Sequence, residues 1–136
     1  MNNSTTTIKI AGLFGFIAVA VGAMGAHAIK PYLTDYQRQT YETAVQFHFY
    51  HTLALLMTGI WRWNRPQLPS LKWATWAFSL GILCFSGSLY LLASRELLQF
   101  SVLWMGPITP IGGVFFMTGW LLLVYAAFQQ QKQPLT

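Results

Sequence analysis

Charge is what this sequence has least of: 8% of its residues are Asp, Glu, Lys or Arg, against roughly 25% in an ordinary soluble protein. Only three residues are acidic, and the hydrophobic fraction is 54%. This composition excludes a water-soluble globule, whose surface needs far more charge to stay in solution. Cysteine is nearly missing too. Cys84 alone cannot form an intramolecular disulfide, and inside a long apolar run it reads as a small core hydrophobe. With one Asp in the chain and no G-x-S-x-G, phosphate-binding loop or Cys-x-x-Cys, the sequence lacks the parts of the common hydrolytic, nucleotide-binding and thiol-redox sites. We therefore expect no enzyme and no cofactor.

The eleven charged residues leave four charge-free runs, 10–29, 43–61, 73–94 and 97–131. A bilayer core about 30 Å thick takes about 20 apolar residues of helix, so the first three runs each fit one crossing and the fourth holds a crossing with residues to spare. The expected fold is all-α, an integral-membrane four-helix bundle forming one domain over 1–136. Its spans fall at about 9–29, 43–62, 71–93 and 110–128, with 35–43 a helical extension of the second span and 97–109 an interfacial outer loop. The net charge of +5 comes from eight Lys and Arg scattered singly, which leaves no basic stripe to follow a nucleic-acid backbone. Their asymmetry instead gives an orientation. Lys9, Arg62, Arg65, Lys72 and Lys132 fall on one side, and Lys30, Arg38 and Arg95 share the other with Asp35, Glu42 and Glu96. Cytoplasmic loops collect Lys and Arg, so both termini are expected in the cytoplasm.

Local signals refine this plan. Lys9, the apolar run after it and Ala26-His27-Ala28 imitate a secretory leader with its cleavage site. However, Ala11, Gly15, Ala18, Gly22 and Ala26 recur at helical spacing, a small-residue face suited to close helix contact, and the first span is expected to be retained. Lys30-Pro31 ends it. Thr34 and Gln37 fit a capping box that starts a helix running to about Trp61. Trp61, Trp63, Trp73 and Trp76 flank the turn around Pro66 and Pro69 like an interfacial aromatic belt. Thr109 and Pro110 read as the N-cap and first residue of the last helix, and the tail from Gln129 reads as polar and frayed.

The candidate site lies in the outer half. His27 ends the first span, and His48 and His51 lie in the outer half of the second. Steps of four and three along that helix place Gln37, Tyr41, Ala44, His48, His51, Leu55, Thr58 and Arg62 on one stripe, polar where lipid would penalise polarity, so the stripe should face inward. Three imidazoles could hold zinc or copper, move a proton or meet a quinone head group. No Asp, Glu or Cys accompanies them, so hydrogen bonding between helices is the preferred reading and a metal at His27, His48 and His51 the lesser one. Tyr90, with Ser86-Gly87-Ser88, adds hydroxyls at the same depth. Thr109, Gly112 and Gly113 open the last helix there, where main-chain N–H groups could meet an anion or lipid phosphate, or the glycines could simply admit a neighbouring helix.

Four motifs in order carry a family resemblance: Gly22-Ala23-Met24-Gly25-Ala26-His27, His51-Thr52-Leu53-Ala54-Leu55-Leu56, Gly87-Ser88-Leu89-Tyr90, and Gly106 to Gly113 followed by Gly119-Trp120. Over about Ile10 to Phe128 the chain resembles the YgdD-like small inner-membrane proteins, related to eukaryotic transmembrane protein 256. The resemblance implies a four-span protein of the bacterial inner membrane without catalytic residues to carry over. The expected function is a non-enzymatic accessory or scaffold, touching membrane lipids and membrane-protein partners or further copies of itself through its small-residue faces. The alternative is a protein that holds a metal, quinone or lipid head group near the outer histidines. A channel or transporter is disfavoured, since no acid lies inside a span.

Overall fold

The computed structural model describes residues 3–98 and 101–131. The loop residues Gln99 and Phe100, and the tail from Lys132 onward with its counted cation, lie outside the described residues. The described part is all-helical. Helix α1 (Asn3–Met24) continues through a π turn (Gly25–Ile29) and a 3-10 turn (Lys30–Tyr32). Helix α2 (Asp35–Asn64) returns, and α3 (Pro69–Gly81) is joined by a second π turn (Ile82–Ser86) to α4 (Gly87–Ala93). After a short 3-10 turn (Leu103–Met105), α5 (Ile108–Gln131) completes the fold. The chain thus makes four long rods, the third being α3 and α4 in line.

Helix α2 starts as its sequence dictates. The Thr34 hydroxyl accepts from the Gln37 main-chain N–H at 3.3 Å, and the Thr34 N–H donates to the Gln37 side chain at 2.9 Å, satisfying two otherwise orphaned groups. Its 30 residues span about 45 Å, and it is the central rod, packed on α1 along one side and on α3 and α4 along another. All eight members of the polar stripe are buried, none more than 8% exposed. This polarity sets α2 apart. By length and composition three segments are long and apolar enough to cross a membrane, Ser4–Tyr32, Pro69–Ala93 and Leu103–Gln131, whereas the second rod is long enough but carries its polar groups inward, where the other rods cover them.

Glycines set the distances between rods. On the α3–α5 face the pattern Phe-x-x-Gly occurs in both helices: the Phe78 ring lies against Gly119, and the Phe116 ring against Gly81. Farther along the same seam Gly112 meets the Phe85 main chain. Rods running in opposite directions thus exchange rings for glycines. On the other side of α2, Gly59 lies against Ile8 and Thr7, Gly22 against Val45, and Gly25 against the Tyr41 ring. The small face of α1 is therefore spent on α2. Ala11 and Ala18 are buried there, while Ala26, at its end in the π turn, is exposed.

Three boundaries differ from the sequence expectation. Helix α1 begins at Asn3 rather than near 9, because Ser4 and Thr7 are buried, Thr7 reaching Thr75 at 3.4 Å and accepting from Arg62 at 3.3 Å. Helix α5 begins at Ile108, which puts Thr109 and Pro110 within its first turn instead of at its cap. At its far end Gln129 and Gln130 remain helical. The Ser70 hydroxyl donates to the Gln129 side chain at 2.7 Å, and the Trp61 indole N–H donates to Gln130 at 2.7 Å, tying α5 to α3 and α2. Replacing both glutamines by Ala should lower stability by about 1–2 kcal/mol, two net hydrogen bonds' worth. Thermal unfolding in detergent checks this, and an unchanged midpoint would mean that water replaces both bonds without loss.

Candidate functional site

The layer singled out by the histidines is built mainly on α2. Positions 48 and 51 lie about one turn apart on its buried face, and both rings are almost fully enclosed. The His51 ring stacks on Phe116, centroids 3.5 Å apart and planes within 11°, with Phe47 stacked at 5.7 Å and Phe78 and Trp120 beside it. Both nitrogens are engaged. Nδ1 lies 2.8 Å from the Phe47 carbonyl and Nε2 lies 3.3 Å from the Trp120 indole nitrogen. A carbonyl can only accept and an indole N–H can only donate, so His51 is the neutral tautomer with its proton on Nδ1. It bridges α2 to α5 with no lone pair left for a metal.

His48 is held differently. Its Nδ1 lies 3.2 Å from the Tyr90 hydroxyl on α4, and the Tyr90 ring stands 5.1 Å from that of Tyr41, whose own hydroxyl donates to the Val21 carbonyl at 2.8 Å. The chain His48–Tyr90–Tyr41–Val21 therefore links α4, α2 and α1 just before the first π turn, a local widening that often marks irregular packing or function. The Nε2 of His48 is buried without a well-formed hydrogen bond, with the Phe14 ring edge-on at 5.9 Å and the Phe14 main chain facing it.

Of the remaining candidates, Thr109 and Ser88 bond each other at 2.6 Å, joining α5 to α4. Gly112 lies against the Phe85 main chain, while a Cβ on Gly113 would meet only the edge of the Phe85 ring at 4.0 Å. Gly112 therefore admits the neighbouring rod, and Gly113 makes only ordinary contact with it. His27 is not brought to the other two histidines: it lies in the π turn and is exposed. Among the described residues no three His, Cys, Asp or Glu side chains gather closely enough to hold a metal ion, so the lesser, metal-binding reading has no geometric support.

Two hollows open elsewhere. One, of about 320 Å³, lies between the first π turn and the start of α2, where Lys30 and Arg38 share it with Glu42. The other, of about 310 Å³, lies at the opposite end between α1, α2 and α3, lined by Thr7, Arg62, Lys72, Thr75, Trp76 and Ser79 among others. Its lining comes from three rods, so no local pattern in the sequence marks it.

Comparison with known proteins gives a consistent answer. Residues 21–113 match the family described as protein of unknown function (DUF423). The chain is 40% identical over 122 residues to a UPF0382 membrane protein of Staphylococcus aureus (strain bovine RF122 / ET3-1), covering 90% of this chain and 94% of that one. It is 38% identical over 120 residues to the UPF0382 membrane protein YwdK of Bacillus subtilis (strain 168), covering 88% and 94%, and 33% identical over 125 residues to a UPF0382 membrane protein of Haemophilus influenzae, covering 92% and 95%. No solved structure matches the chain.

Proposed function

We propose, since this chain belongs to the DUF423 family of uncharacterised membrane proteins, that it is a non-enzymatic four-span bundle acting as a structural or accessory component of the bacterial inner membrane. In this reading all four rods cross, with α2 shielded from lipid by the other three and both termini in the cytoplasm. Kinship with the YgdD-like proteins and with eukaryotic transmembrane protein 256 belongs to the same proposal and rests on the four motifs. The outward faces carry the large apolar side chains, such as Phe16 and Val19 on α1 and Met117, Leu121 and Phe128 on α5, all more than half exposed. Such faces suit lipid tails, membrane-protein partners or a second copy. Because the small-residue faces are used up inside the chain, these apolar faces and not the glycines would meet a partner.

The observation that carries this reading is that His51, Ser88 and Thr109 bond within the bundle: His51 uses both nitrogens, and Ser88 and Thr109 use each other. A site awaiting a ligand keeps its polar groups pointed at open space, whereas these point at protein groups, His51 at Phe47 of its own rod and Trp120 of α5, Ser88 and Thr109 at each other. Four atoms favour the alternative reading, a protein that holds a quinone or lipid head group in this layer: His48 Nε2, Ser86 Oγ, Thr52 Oγ1 and Gln37 Nε2 are buried without a well-formed hydrogen bond.

Element analysis and an absorbance spectrum of the detergent-purified protein decide between them, with His27, His48 and His51 replaced together as the comparison. The expected result is neither metal nor pigment at stoichiometric level, together with a lowered unfolding temperature in the triple variant. A metal or chromophore that vanishes in that variant would replace the structural reading with the ligand-binding one.

A further inference from the structure

The hollow between the first π turn and the start of α2 carries charges of both signs that do not meet. Lys30 and Glu42 line it together with Arg38, Tyr41 and Gln46. Two of these are already engaged: Arg38 pairs with Asp35 at 3.1 Å, and the Tyr41 hydroxyl gives its proton to the Val21 carbonyl. Lys30, Glu42 and Gln46 are not. Among the described residues their side chains form no hydrogen bond or ion pair. Opposite charges that share a space of about 320 Å³ without touching suit a guest that brings both signs itself.

The surroundings of the hollow matter as much as its charge. Its remaining walls are small or apolar, Gly22, Gly25 and Ala26 before Lys30, then Leu33 and Val45. Along α2 the hollow opens onto an exposed edge. Glu42, Gln46, Phe49, Leu53 and Met57 follow one another at steps of four and three, on one face of the helix, and all are exposed. The edge is polar where it lines the hollow and apolar beyond it, which is the order of a phospholipid, head and then chain. Tyr32 and Tyr36 stand exposed at the same end, as amphipathic rings do at head-group level.

We propose that this hollow seats the zwitterionic head group of a phospholipid with a primary ammonium, of the phosphatidylethanolamine class, with Lys30 against the phosphate and with Glu42 and the Gln46 amide oxygen accepting from the ammonium. A primary ammonium offers three N–H donors, whereas the trimethylammonium of phosphatidylcholine offers none. Phosphatidylglycerol has no cation for Glu42 and would set a net anion beside it. Free glycerophosphoethanolamine has the same ammonium and phosphate but no chain for the apolar edge. The inference rests on the membrane placement proposed above, and on nothing assigned to the histidines.

Native mass spectrometry of the full chain released from detergent tests it, by titration with the dioleoyl forms of phosphatidylethanolamine, phosphatidylcholine and phosphatidylglycerol and with glycerophosphoethanolamine. We expect phosphatidylethanolamine to bind several-fold more tightly than either other lipid. Glu42→Gln should remove most of the preference over phosphatidylcholine. Lys30→Gln should weaken both of these lipids alike, about two- to five-fold, the range for an exposed ion pair, because both carry the phosphate. Glu96→Gln is the control, since Glu96 is an exposed acid that does not line the hollow. Equal affinity for phosphatidylethanolamine and phosphatidylcholine would overturn the proposal, as would tighter binding of phosphatidylglycerol or an equal loss of preference in Glu96→Gln and Glu42→Gln. Displacement of the lipid by equimolar glycerophosphoethanolamine would overturn the lipid assignment and give the hollow to a free zwitterion. Flotation of the chain with phosphatidylethanolamine-containing vesicles reports membrane residence separately. A protein that floats but does not discriminate defeats the head-group site alone, and one that does not float defeats the membrane placement. Lys30 and Glu42 are both exposed, and the comparison of lipids on the unsubstituted chain decides without either variant.

Discussion

Gly112→Ala should be among the most damaging single-methyl additions this protein can suffer. A Cβ built on Gly112 runs into the main-chain nitrogen of Phe85, its Cα at 2.7 Å and its Cβ at 2.7 Å. Real Cβ atoms do not come so close, and two of the three obstacles are backbone. A flexible side chain could swing away, but here α5 must move off the π turn that joins α3 to α4. Overpacking of this kind costs about 1–3 kcal/mol. Displacement along the seam would also pull Phe116 from Gly81 and Phe78 from Gly119, where the rings are fitted to bare Cα atoms. We expect the upper part of that range, read as a fall in the unfolding midpoint in detergent. Gly12→Ala is the matched control. Nothing lies within 4 Å of its added Cβ, and the position is exposed within α1. Removing a helix-interior glycine there should be neutral or stabilise by about 0.5–1 kcal/mol. If both variants melt alike, the close approach at Gly112 is not what holds α5 in place.

The contrast between the two glycines shows where sequence reasoning reaches and where it stops. Periodicity found the buried stripe of α2 from Gln37 to Arg62, because an inward-facing helix surface obeys one repeat whatever it packs against. The Thr34–Gln37 capping box was equally legible, since it needs only residues three apart. What failed was inference across rods. The three histidines share a depth but not a face: His27 follows Ala26 in a segment that the π turn rotates, and its side chain points out. Neither π turn leaves a local signature, because each answers a neighbour, Tyr41 against Gly25 and Gly112 against Phe85. Gln129 and Gln130 read as a solvated tail until Ser70 and Trp61 are seen beside them. Reading Gly112 and Gly113 as a pair concealed that only the first is in tight contact.

Replacing His51 should separate what its ring contributes from what its nitrogens contribute. His51→Ala removes a ring stacked 3.5 Å from Phe116 and enclosed by Phe47, Phe78 and Trp120, together with the bonds to the Phe47 carbonyl and the Trp120 indole. Truncating a buried ring of this size costs about 3–5 kcal/mol by analogy with Phe→Ala, whereas an interhelical hydrogen bond inside a membrane protein averages about 0.6 kcal/mol. The bond to Phe47 is within one turn of α2, so Trp120 alone gives the interhelical term. Packing should therefore dominate. His51→Phe would keep most of the contact surface and lose the bonds, and it should recover most of the midpoint lost in His51→Ala. A site that needed the imidazole for a metal or a proton would abolish this difference in any assay of bound ligand, because Phe would then fail as completely as Ala. His27→Ala, at an exposed position, should leave the midpoint within about 0.5 kcal/mol of the parent. Equal destabilisation by Phe and Ala at position 51 would mean that the hydrogen bonds, and not the stacked ring, lock α2 to α5.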